Sequence, residues 1–222
     1  MPEDRHIPRA HFSDDAEGQF FKLQRWYDGS STTLRSECSL LNYTTTGGAY
    51  KPARYRPIWA LKDSPGSLSN FTNVYTLITA ANAYNQPNYE SIIENVVDVE
   101  NWMRVSAANH AAGNWDCFGS SGSGQNADAW VSASHRWTLF TIDLGICLDN
   151  NLASAGLFGF ADNAWAQLAA KPKYGRMYYR ALNDLANGIM QAGVINPMLD
   201  AKYAAITAAG ISATAPTATK SW

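Results

Sequence analysis

Charged residues are few. Asp, Glu, Lys and Arg make up 16% of 222 residues and nearly cancel, to a net charge of −2, where a quarter is usual. That excludes the basic footprint by which a protein grips nucleic acid. Long apolar runs are missing too: no stretch reaches the roughly 18 residues that would read as a membrane-spanning helix. The opening MPEDRHIPRAHF lacks the apolar segment of a signal peptide. Cysteine is sparse: Cys38, Cys117 and Cys147 are widely spaced with no C-x-x-C pair, which excludes a disulfide scaffold and the usual zinc framework. No internal repeat and no composition break divides the chain.

What remains is apolar and aromatic. Hydrophobic residues reach 46%, with eight tryptophans and eleven tyrosines, so a packed globule of one domain, or one lobe of a larger protein, is expected. Residues 98–110 place Val99, Trp102, Met103 and Ser106 near one helical face. Asp98 serves as N-cap and Gly113 as the stop. A Gly/Ser loop follows, then two short strands around Trp130–Val131 and Trp137–Phe140, joined through 132–136. Upstream, 19–26 reads as a strand that needs partners on both sides. Helices are expected over about 70–83, 89–96, 161–168, 175–190 and 197–209, with Pro172 and Pro197 as breakers and Gly193 and Gly210 beyond two ends.

The chemistry concentrates in 113–143, GNWDCFGSSGSGQNADAWVSASHRWTLFTID. Asp116, Asn126 and Asp143 follow one another as the proton-accepting Asp, metal-holding Asn and metal-holding Asp do in protein kinases. Asn126 lies ten positions after Asp116, against about five in those kinases. A hairpin between Asn126 and Asp143 would fold the second Asp back toward the first. Two carboxylates and an amide would then suit Mg²⁺, which takes a few protein oxygens plus phosphates.

These residues resemble the spore coat protein H (CotH) kinase-like family. VDVENWMRVSAANHAAGNWD, then an Asn-led strand, then RWTLFTID is similar to its acidic-aromatic helix, GNxD loop and W-D-x-D segment. EGQFFKLQRWYDG, TTGGAYKPARYRP and the C-terminal YYRALNDLANGIM through NPMLDAKYAAI carry the resemblance over 17–222. It implies an α+β, atypical protein-kinase-like fold, mostly a helical C-lobe with short strands and a metal-site hairpin. Residues 1–16 would be an irregular arm, and 17–222 a partial domain of an N-terminally truncated member. The implied activity is Mg²⁺-dependent transfer of the γ-phosphoryl of ATP to Ser or Thr of a protein partner. Asp116 would be catalytic, and Asn126 and Asp143 would hold the metal. The implied location is extracellular, on the cell surface or in the spore coat. Where relatives carry D-x-D, this chain reads Asp143-Leu144-Gly145, with Asp149 as a substitute acid.

Other residues carry two readings each. Lys22 is either a phosphate-facing strand lysine or a solvated one. Arg54 and Arg56, among Tyr50, Tyr55 and Trp59, form either a phosphate-binding fork for the nucleotide or a surface cluster stacked on aromatics. Cys117 could be a thiol nucleophile. His6 and His11 could bind metal or belong to the arm, and His110 could buttress the Asp116 loop. Two rival functions stay open. One is a surface-displayed binding or adhesion module that keeps the fold without turnover. The other is a glycoside hydrolase with paired acids.

Overall fold

The computed structural model describes residues 10–12, 17–27, 34–119, 124–144, 147 and 160–217. Four strands, β1 (Gln19–Leu23), β4 (Trp59–Asp63), β5 (Ala127–Val131) and β6 (Thr138–Thr141), form one antiparallel sheet in the order β4-β1-β5-β6. The two-stranded ribbon of β2 (Trp26–Tyr27) and β3 (Leu34–Ser36) stands apart from it. β1 has partners on both sides, as expected of a strand in which every residue but Lys22 is buried. Just past the strand, Gln24 stays tied to the segment before β4, its backbone N–H donating to Ile58 O and its side chain to Pro57 O.

Alternation along the strands gives the sheet two faces. Phe21, Leu23, Ala129 and Leu139 point inward and are fully buried. Phe21 meets Phe71 and Trp59 edge-on, at 6.1 and 6.3 Å between centroids. Phe20 and Trp130 lie on the other face, where the Phe12 ring stacks on Trp130 at 4.3 Å. His11 and Phe12 of the N-terminal arm therefore lie against the sheet.

The helices are α1 (Pro52–Tyr55), α2 (Thr72–Ala81), α3 (Tyr89–Glu94), α4 (Val99–Ala111), α5 (Asn163–Ala169), α6 (Pro172–Ala186) and α7 (Ala192–Ala208). The α4 helix is the central one. Asp98 caps it by accepting from the Asn101 N–H at 3.1 Å, which satisfies one of the donors a helix start leaves open. Its face of Val99, Trp102, Met103 and Ala107 is buried. Trp102 stacks on Trp165 of α5 at 4.8 Å, and Phe118 meets Trp165 edge-on at 5.0 Å. Truncating a buried aromatic of this kind to Ala costs roughly 3–5 kcal/mol.

α4 also closes the outer edge of β6, which would otherwise present unpaired backbone groups. Asn101 accepts from the Leu139 N–H at 2.8 Å and donates to Leu139 O at 3.2 Å. Trp137 O takes the Asp98 N–H and the Trp102 indole N–H. The edge strand that leads to Asp143 is thus clamped to a capped helix.

Two expectations about the C-terminal helices are corrected. Pro172 opens α6 at its first turn and does not break it, because a proline's missing N–H is one the first turn leaves unused. Pro197 lies inside α7, and Gly193 belongs to that helix as well. α7 buries no residue, so its path follows solvent exposure and not core packing. Gly210 does fall just past the end of α7, with φ of +76°.

Candidate active site

The C-terminal ends of β1 and β6 and the N-terminal end of β5 lie at the same end of the sheet. In the β5–β6 register Ala127 faces Thr141, and one step further the Ile142 N–H donates to Asn126 O at 3.4 Å. Asn126 and Asp143 therefore flank the open end of one hairpin. Both have left-handed backbone, with φ of 56° and 54°, a conformation that Asn and Asp tolerate better than other side chains. Asp143 is exposed.

Asp116 is joined to Asn126 directly. The Asn126 amide nitrogen donates to Asp116 O at 2.7 Å and to Asp116 Oδ2 at 3.0 Å. Gln125 Nε2 donates to both carboxylate oxygens, at 2.7 and 2.8 Å. Arg25 Nη1 stands 3.8 Å from Asp116 Oδ1, and Arg25 Nε bonds Glu37 Oε1 at 2.7 Å. Burial pulls the Arg25 pKa down, but the hydrogen bonds and charges of Glu37 and Tyr27 together outweigh it and hold the pKa above its ordinary value. The loop is pinned at Gly124, whose carbonyl accepts from the Cys38 N–H at 3.0 Å. A Cβ there would sit 2.2 Å from Cys38 O, so the close approach requires glycine.

The remaining candidates fall at differing distances from this centre. Lys22 lies on β1, exposed, in register with Asp128 of β5 and one step before the end of the strand. Arg54 lines a cavity of about 430 Å³ together with Glu37, Cys38, Gly119, Gly124 and Asp162, and its guanidinium stacks over Tyr43 at 4.5 Å. Arg56 is exposed at the C-terminal end of α1, and its charge opposes the rise that burial gives the Tyr75 pKa. Cys117 is buried, and its thiol donates to Asn114 O at 3.1 Å, which closes it to the role of attacking thiol. His110 packs edge-on against Tyr178 at 6.5 Å, and burial lowers its pKa. His11 packs against the ring of Phe140 at 5.4 Å. His6, Gly145 and Asp149 lie outside the described residues.

Among the described residues no cluster of three or more His, Cys, Asp and Glu could hold a metal. The donor set beside Asp116 suits a different kind of site. Asn126 spends its amide nitrogen on Asp116, while its Oδ1 has no hydrogen-bond partner among the described residues. An amide oxygen and the exposed Asp143 carboxylate are hard oxygen donors. Oxygen donors of this kind suit Mg²⁺ where phosphates and water supply the other positions.

The family description CotH kinase protein matches residues 3–220, nearly the whole chain. The chain belongs to the CotH kinase family. No curated protein matches it. Membership agrees with the α+β architecture and makes the domain kinase-like. As a CotH kinase domain, it holds Asp116, Asn126 and Asp143 on one loop and one hairpin. Sequence reasoning missed Arg25, Glu37 and Gln125. Gln125 left a signal, since it sits beside Asn126 on the side facing the loop. The Arg25–Glu37 pair joins the exit of β1 to the segment after β3, a contact that no spacing rule encodes.

Proposed function

We propose that this domain transfers the γ-phosphoryl group of ATP to Ser or Thr hydroxyls of a protein partner. The observation that carries this reading is the direct bonding of Asp116 to Asn126, on the hairpin that ends at Asp143. Asp116 accepts the hydroxyl proton, oriented for it by the Gln125 and Asn126 amides. Asn126 Oδ1 and the Asp143 carboxylate would hold Mg²⁺, which when bound would neutralise charge on the phosphates. Phosphoryl transfer asks mainly for positioning and charge compensation, so this small set of groups is sufficient. Lys22 and Arg54 are the cations assigned to nucleotide phosphates. Arg56, which does not line the cavity beside Arg54, is the weakest of the three. In keeping with the family, the domain acts at a cell surface or in a spore coat.

Asp116→Ala and Asp143→Ala should each abolish phosphate incorporation into a mixed Ser/Thr protein substrate, read with radiolabelled ATP, while melting with the wild type. Full activity in either variant removes that assignment. A second reading is favoured by Gly145, which stands where relatives carry another acid: a binding or adhesion module without turnover. ATP with Mg²⁺ raises the melting temperature of a kinase that binds it and leaves that of a pure binder unmoved.

A further inference from the structure

α4 ends in a Schellman turn. Gly113, at φ +65°, donates its N–H to His110 O at 3.0 Å, and the Asn114 N–H reaches back to Asn109 O at 2.9 Å. In this motif the residue after the glycine commonly makes an apolar contact with the helix residue it reaches. Here both positions are asparagine and both are buried, at 5% and 3% exposure. Asn114 Nδ2 donates to Asn109 Oδ1 at 3.0 Å, and Asn109 Nδ2 donates to Thr141 Oγ1 at 3.4 Å. Asn114 Oδ1 is buried with no hydrogen-bond partner among the described residues. Fold stability does not call for this: two leucines would close the same turn without burying polar atoms.

The chain of amides has an evident destination. Asn114 lies two residues before Asp116, and Thr141 lies two residues before Asp143. Asn109 is fixed between them on a helix. The Asn114 backbone carbonyl also accepts a hydrogen bond from the Cys117 thiol, which ties this residue to the far side of Asp116. We infer that Asn109 and Asn114 are positioning residues, which set the placement of the Asp116 loop relative to the end of β6 through Thr141. The inference rests on the phosphotransfer reading for its catalytic consequence, but the mechanical coupling stands independently of it.

The test replaces the polar contact by the usual apolar one, with the double variant Asn109→Leu/Asn114→Leu. A merely structural role predicts unchanged or improved behaviour throughout. A positioning role predicts a melting temperature equal to or above the wild type, a kcat at least tenfold lower and a KM for Mg-ATP within about threefold. It also predicts amide hydrogen exchange at 142–144 at least tenfold faster. Thr141→Val, which cuts the far end of the relay, should reproduce the exchange and kcat effects and serves if the double variant does not fold. Wild-type kcat together with wild-type exchange in either folded variant overturns the inference. If the wild-type domain transfers no phosphate, exchange alone decides: faster exchange at 142–144 supports the relay, and unchanged exchange overturns it.

Discussion

Asn126 does three things at once. Its backbone occupies the left-handed region, its carbonyl continues the β5–β6 ladder, and its amide nitrogen holds the Asp116 loop. Even for Asn that conformation carries some strain that glycine does not, so removing the side chain relieves strain while it deletes the bonds to Asp116. Asn126→Gly separates the effects. The backbone conformation is then free of strain, and the lost hydrogen bonds, at about 1 kcal/mol each, roughly offset the relief. Chemical denaturation should place the variant within about 1–2 kcal/mol of the wild type, whereas phosphate incorporation falls at least a hundredfold. A variant that is both stable and active would show that the Asn126 oxygen holds nothing the reaction needs.

At the scale of elements, much was legible because local chemistry decided it. Asp98 caps α4 and Gly113 ends it. The Trp130 and Trp137 runs became paired strands, and the short expectation around 89–96 became α3. Pro172 misled because proline at the first helical turn reads the same in sequence as proline beyond a helix end. What stayed hidden was long-range: the Arg25–Glu37 pair, the grip of Asn101 on Leu139, and the clamp of α3 on α6. In that clamp Glu94 takes Lys173 and, at 2.8 Å, the Tyr174 hydroxyl. The Lys173 hydrogen bond lowers the Glu94 pKa against the opposing effect of burial, and Tyr174 adds to the lowering. A folded-state pKa below the ordinary 4.5 means that the ionised form stabilises the fold above that value. The stability is lost as pH falls through the folded pKa. Glu94→Gln should therefore lower stability by about 1 kcal/mol or less at pH 7, the scale of partly exposed pairs. The gap to the wild type should narrow below pH 4.5 and close further into acid, as followed by thermal melts across pH. A gap independent of pH would assign the effect to packing.

The molecule as a whole divides into a tightly packed part and a loosely attached one. Trp59, Trp102, Trp137 and Trp165 form one continuous core with Phe21 and Phe118, joining the inner face of the sheet to α4 and α5. α6 reaches this core through Tyr174 and Tyr178. α7 does not reach it: Val194 and Met198 stand about half exposed, and none of its residues is buried. Since apolar burial is the main favourable term in folding, a helix that buries nothing contributes little to the global transition. A chain ended after residue 191 should keep a single cooperative melt. In a domain of this size, 1 kcal/mol corresponds to roughly 2–4 °C, so its midpoint should fall by no more than about 4 °C. Because the Asp116 loop and the Asp143 hairpin are anchored on α4 and not on α7, Mg-ATP should raise that midpoint as much as it does for the full chain. A large fall in the midpoint, or loss of the nucleotide-induced shift, would place α7 within the working unit.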